Sequence, residues 1–184
     1  LLVRDQDAFF LNTYLSHLDE IRLRRRLGEV LQFWPLVSTV QCSVNINQRK
    51  WVVAGESRSD FEVCARILIP AQIPTVYLEG YKQLVEQVEG LPWPKQPKVI
   101  WTSNSHNSND VFKAWAAEKT EGGSPLVIGQ HGGNFGMTPF STTEQHQIKI
   151  ADKWVSWGWN NFSEKKIIPF GNIKLINTKR KCNY

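Results

Sequence analysis

The stretch VIGQHGGNFG at residues 127–136 holds the residue types best suited to chemistry. A short apolar run delivers the chain to Gln130 and His131, and Gly132, Gly133 and Gly136 follow. An imidazole titrates near pH 6.5 when unperturbed, so His131 can take a proton from an attacking hydroxyl. Glycines let backbone N–H groups approach a ligand or take positive φ, and such donors suit a phosphate or a sugar hydroxyl. A second reading is that the glycines only turn the chain and His131 bonds a backbone carbonyl. The residues alone leave both open, because this glycine spacing matches neither a dinucleotide fingerprint nor a P-loop.

The other candidates carry the same duality. Ser103 and Asn104 open the polar loop SNSHNSN and are expected to contact substrate, whereas Asn107 or Ser108 is expected to cap the following helix. His106 is left open between ligand and solvent. Gln130 either positions substrate or orders its loop. Glu144 ends STTE, a capping box in which Ser141 and Glu144 satisfy backbone amides reciprocally, with substrate contact as the second role. Glu79, read at a strand end, is an acid, base or substrate contact, with surface charge as the alternative. His146 falls inside a helix and is read as packing or surface rather than chemistry. No metal site is expected, since the histidines lack close spacing and no cysteine is near them.

Positioning these residues requires a particular architecture. KVIWT, PLVIG and KWVSWGW read as short buried strands, and DVFKAWAAEKTEGG and TTEQHQIKIA as the helices between them. Apolar rather than alternating strands, separated by helices, predict an α/β Rossmann-like parallel sheet with helices on both faces. In such sheets ligands bind beyond the carboxyl ends of the strands, which places Ser103–Asn109 and Gln130–Ser141 at one crevice. Upstream, helical spacing predicts one or two helices over 5–34. A strand is expected at KWVVA, a helix from about Asp60 stopped by Pro70, a short strand at PTVYLEGY carrying Glu79, and a helix ending at LVEQVEG. IIPFGNIK reads as a turn.

Composition excludes several classes. The chain has 184 residues, 41% hydrophobic and 21% charged, with no apolar run long enough to span a bilayer. Its net charge of +5 is concentrated in RLRRR at 22–26 and KRK at 179–181, clusters rather than a surface interleaved with aromatics, so nucleic acid is not expected as a partner. The first cluster is read as the solvated face of an amphipathic helix, with contact to an anionic membrane surface as the alternative. Cys42, Cys64 and Cys182 are odd in number and scattered, which fits a reducing cytoplasm. Trp154, Trp157 and Trp159 are read as largely core, with sugar stacking as the alternative.

The blocks VIWTSNSHNSNDVFKAWAAEK, PLVIGQHGGNFG, ADKWVSWGW and IIPFGNIKL, and IPTVYLEGY as well, resemble a family of transferases from bacterial O-antigen and surface-carbohydrate clusters, several of them in the family's order. The resemblance spans roughly residues 60–176. That family is similar to the GT-B glycosyltransferases, which pair two Rossmann-like domains across a cleft, and to polyol-phosphate polymerases, in which a His-Gly pair at this strand end activates the acceptor hydroxyl. It implies His131 as base, Gly132 and Gly133 as its loop, a nucleotide-sugar donor, a carbohydrate acceptor, no cofactor, and a cytoplasmic location at or near the inner membrane. It further implies the N-terminal half of a GT-B-like fold: a helical or irregular part over 1–59, the Rossmann-like domain over 60–168, and from 169 a linker to a C-terminal domain that this chain does not contain. The expected function is glycosyl transfer in surface polysaccharide assembly. The alternatives are a CDP-alcohol-dependent polyol-phosphate transferase and a non-catalytic carbohydrate-binding or scaffold module.

Overall fold

The computed structural model of the chain describes residues 4–30, 32, 34, 37–132 and 134–175. Residues divide into two units, Leu1–Pro35 with Pro92–Tyr184, and Leu36–Leu91. The units meet at 35/36 and 91/92.

The first unit is organised by five parallel strands: β1 (Phe9–Leu11), β2 (Ile100–Thr102), β3 (Leu126–Gly129), β4 (Lys153–Ser156) and β5 (Ile167–Pro169). Their spatial order is β1-β2-β3-β4-β5, all parallel. Phe9 registers with Ile100 and Ile100 with Leu126; one residue on, Phe10 registers with Trp101 and Trp101 with Val127. Because side chains alternate along a strand, these two sets face opposite sides of the sheet. The fold is α/β with a Rossmann-like parallel sheet.

Aromatic packing covers the Phe9 face. The Phe9 ring centroid lies 4.3 Å from that of Trp115, 4.6 Å from Trp93 and 6.2 Å from Phe112. Phe112 and Trp115 belong to α5 (Asp110–Glu121). Farther along the same face, α6 (Thr142–Ile150) sends Gln147 to accept a 3.2 Å hydrogen bond from the indole of the buried Trp154. Over the opposite face, α1 (His17–Arg26) holds the Arg24 guanidinium 4.7 Å above the Phe10 ring. Helices therefore cover both faces. Each fully buried Phe of such a core contributes about 1.5–3 kcal/mol through area removed from water.

Local signals explain where these helices begin. Ser16, Asn109 and Ser141 each accept a hydrogen bond from the amide three residues on, satisfying donors that a helix start leaves unpaired. The cap of α5 is Asn109, because Ser105–Ser108 already form a short helical turn, α4, rather than a loop.

Several expectations are corrected. Residues 9–11, read within a helix, are the first strand, because pairing with β2 overrides local spacing. Only His17–Arg26 of the 5–34 segment is helical among the described residues. Its buried residue is Arg24, 1% exposed, whereas Leu18 is 65% exposed. Arg24 pairs with Glu20 at 3.2 Å and with Glu29 at 3.4 Å, so one member of the basic cluster is internal while Arg22, Arg25 and Arg26 are solvated. IIPFGNIK is not a turn alone: Ile167–Pro169 is the edge strand β5, and Pro169 sits at its end, where no further ladder donor is required.

The second unit contains α2 (Asp60–Gln72) and α3 (Tyr81–Glu89). Pro70 lies inside α2 instead of stopping it. The helix survives because Pro70 is in the last turn, where Arg49 donates 3.0 Å hydrogen bonds to the carbonyls of Pro70 and Ala71. The strand expected at PTVYLEGY is a 3-10 turn, Thr75–Tyr77, and KWVVA forms no strand. With no adjacent strand to pair with, the short apolar runs have no ladder to satisfy their backbone.

Candidate functional site

The carboxyl ends of β1, β2 and β3 bring three loops together, and they differ in how their polar groups are used. After β2, the loop is internally satisfied. The Thr102 hydroxyl accepts from the amides of Asn104 at 3.3 Å and Ser105 at 2.9 Å. Ser103 is fully buried; its hydroxyl donates to the Thr13 carbonyl at 3.2 Å and its amide to the Asn12 carbonyl at 3.0 Å. Asn104, half-buried, accepts from the Asn107 side chain at 3.0 Å. Ser103 thus ties β2 to β1, and of the pair expected to meet substrate only Asn104 reaches solvent.

His106 is sealed beneath this loop. It is 6% exposed, and neither ring nitrogen has a hydrogen-bond partner among the described residues. Burial, reinforced by His131, His146 and Lys113, pushes its pKa down to about 4.

After β3 the chain behaves differently. Gly129 has no room for a side chain, since a Cβ would lie 2.6 Å from the Ser103 hydroxyl, which locks the ends of β2 and β3 together. Gln130 is 3% exposed, and its side-chain oxygen accepts from the Trp157 amide at 2.9 Å and the Trp159 indole at 3.0 Å. Its backbone carbonyl accepts from the Trp157 indole at 2.8 Å. Gln130 therefore orders the loop, and its oxygen is taken from any substrate role. Trp157 and Trp159 are held as donors to it.

His131 is half-buried at the rim, edge-on to the buried Phe135 with centroids 5.5 Å apart. Its Nδ1 is buried and unpartnered among the described residues. Burial first, and the Lys174 ammonium second, lower its pKa, so the ring is neutral at neutral pH. Gly132 beside it faces open space, with no atom within 4 Å of a would-be Cβ. Gly133 lies outside the described residues. Gly136 is required twice over: φ is +76°, and a Cβ would stand 2.6 Å from the Trp159 ring. The Gly136 amide donates to the Glu144 carboxylate at 2.7 Å. Ser141 caps the Glu144 amide at 3.3 Å, but the Glu144 side chain anchors the glycine loop rather than closing the reciprocal box.

Glu79 sits in the second unit. Arg49 donates to both of its oxygens at 2.7 Å, and this pairing holds its pKa down at about 2. Its carboxylate is a fixed anion that organises the 45–49 segment, through Asn45 as well as Arg49.

Sequence reasoning missed the third loop. After β1, Asn12 and Tyr14 take φ of +52° and +63°. Asn tolerates that region, but for a bulky Tyr it costs on the order of 1–3 kcal/mol and marks a constrained site. Lys174 places its ammonium 4.0 Å from the centre of the Tyr14 ring. Nothing in the spacing of either residue announces this, because their contact joins opposite ends of the chain.

Cavities flank the loops. One of about 450 Å³ is lined by Phe10, Asn12, His17, Glu20, Gln32 and Trp34 beside the end of β1. Another of about 290 Å³ runs between α5 and α6 and includes His106, Lys113 and His146. A third, about 750 Å³, lies among Arg4, Asp7, Glu29, Gln96 and Lys98, on the amino-terminal side of β1 and β2 and away from His131. Among the described residues no group of His, Cys, Asp or Glu is arranged to hold a metal ion, and no helix is long and apolar enough to cross a membrane.

The site thus offers a neutral imidazole at the rim, a nearby ammonium, and glycine backbone open to approach. No curated protein and no solved structure matches the chain. A family model for the LIC12162 family of transferases matches residues 1–184, and the chain belongs to that transferase family.

Proposed function

We propose that this transferase moves a glycosyl group from a nucleotide-sugar donor to a hydroxyl of a carbohydrate acceptor in surface polysaccharide assembly, at the cytoplasmic side of the membrane. The domain is the acceptor side of a two-domain GT-B-like cleft. His131 is the general base. The observation that carries this reading is its half-buried, neutral imidazole at the carboxyl end of β3, beside open glycine backbone.

Nδ1 is sealed in the protein, so Nε2 receives the proton of the acceptor hydroxyl. The acceptor oxygen forms a bond to the anomeric carbon as the bond from that carbon to the donor phosphate breaks. The nucleotide leaves with the electron pair. Asn104 and the Gly132 backbone position the acceptor, while Ser103, Gln130 and Glu144 hold the loops that carry them.

The test is turnover with CMP-, UDP-, GDP- and CDP-linked donors and carbohydrate acceptors, for the wild type and His131→Ala. Loss of a positioned base lowers kcat by roughly 10²–10⁴-fold. Unchanged turnover in the variant removes His131 from the mechanism. Carbohydrate binding without use of any donor makes the protein a binding module.

A further inference from the structure

We infer that Lys174 is the anion anchor of the His131 site, binding a phosphate group of a phosphorylated substrate next to the imidazole. The inference rests on the reading of His131 as a reactive group, and it adds the substrate class.

The position of Lys174 is built by the fold. It lies in a 3-10 turn, Ile173–Leu175, fixed by Asn172, whose side chain accepts from the Lys174 amide at 3.0 Å. Ile173 is 4% exposed, and its side chain reaches to 3.5 Å from where a Gly129 Cβ would stand, at the end of β3. Lys174, next along, reaches the Tyr14 ring after β1. The turn therefore crosses the carboxyl ends of the central strands and leaves the ammonium over them.

Its chemistry there is incomplete. Among the described residues no carboxylate pairs with Lys174. The Tyr14 ring takes one side of an ammonium that carries three donors, leaving the others for a ligand. Tyr14 presents that ring from a left-handed backbone, a conformation that packing must enforce. The side chains that act electrostatically on His106 and His131 are all bases: Lys113, His131 and His146 on the first and Lys174 on the second. An ammonium that no carboxylate neutralises favours an anion. Gly132 has no described atom within 4 Å of where a side chain would stand, so its backbone is open to an approaching phosphate.

The phosphate can belong to the nucleotide donor or to a phosphorylated acceptor, so the probes are inorganic pyrophosphate, UDP and a sugar monophosphate, titrated by calorimetry. His131 is followed by NMR. Wild type should bind at least one probe with a shift of the His131 ring signals, and Lys174→Ala should bind it about tenfold more weakly or worse, as expected for a lost charge-assisted hydrogen bond. Lys174→Arg should recover most of the binding, and free Lys174→Ala should show His131 titrating at higher pH than wild type. Preference for UDP assigns the donor phosphate; preference for the sugar monophosphate assigns the acceptor. Equal affinity in Lys174→Ala, no binding of any probe by wild type, or binding that leaves His131 unmoved would each overturn the inference. The two ideas fail separately: His131→Ala should retain anion binding, so Lys174-dependent binding without donor turnover sinks only the glycosyl-transfer reading. Turnover that needs His131 but is indifferent to Lys174 sinks only the anchor.

Discussion

The loops after β2 and β3 carry similar promise as sequence, each with a histidine among small polar residues, yet they fold to opposite ends. After β2, Ser103 and Thr102 spend their hydroxyls inside the protein, and His106 is buried with a pKa near 4. After β3, the Gln130 amide oxygen and the Glu144 carboxylate are spent on holding the loop, and His131 stays at the rim beside glycine backbone. Polarity in a crevice loop does not itself make a binding group. What separates the two is which side chains are free after the loop has satisfied its own backbone.

The contrast can be broken most forcefully at Gln130. Its side-chain oxygen serves two partly buried donors, on Trp157 and Trp159, and leaving both unpaired costs roughly 2–6 kcal/mol at about 1–3 kcal/mol each. Gln130→Ala should therefore melt far below wild type, whereas His131→Ala should melt near it; denaturant unfolding of the two variants checks the difference. Equal, small losses would mean that Gln130 is not what holds the loop.

A smaller effect comes from His106. Its folded pKa, about 4, lies below the unfolded value near 6.5, so between these pH values the unfolded chain binds more protons. Stability is full above about pH 6.5 and falls as pH drops toward 4, by about 2–3 kcal/mol from this group after allowance for solvent screening. Unfolding free energies at pH 7 and 4.5 should diverge in the wild type and less so in His106→Phe. An identical pH slope in the variant would place the proton elsewhere.

Much of this was readable in advance, and the exceptions have physical causes. The strands at 100–102, 126–129 and 153–156 and the helices at 110–121 and 142–150 carry apolar runs, N-caps and terminal glycines, and local rules describe them well. β1 is only three residues, FFL, within a helically spaced segment, and what makes it a strand is a partner far along the chain. Arg24 and Leu18 exchange their expected environments because Glu20, Glu29 and the Phe10 ring supply a buried guanidinium with partners. At the site, His131 and its glycines were visible as residue types, and Ser141 as a cap, whereas the Glu144 side chain turns to the Gly136 amide instead of closing the box. That Ser103 and Gln130 are spent internally, and that Tyr14 and Lys174 join the cluster, depends on contacts between distant segments.

The most direct test of the account is the rate at which each histidine is acylated by diethyl pyrocarbonate, resolved by peptide mass spectrometry across pH. The reagent attacks only accessible, neutral imidazole. His131 should be modified readily and should stay reactive below pH 6.5, while His106 lags far behind it and the exposed His17 and His146. Protection of His131, or modification of His106 ahead of it, would contradict the assignment of an open, neutral base at the end of β3.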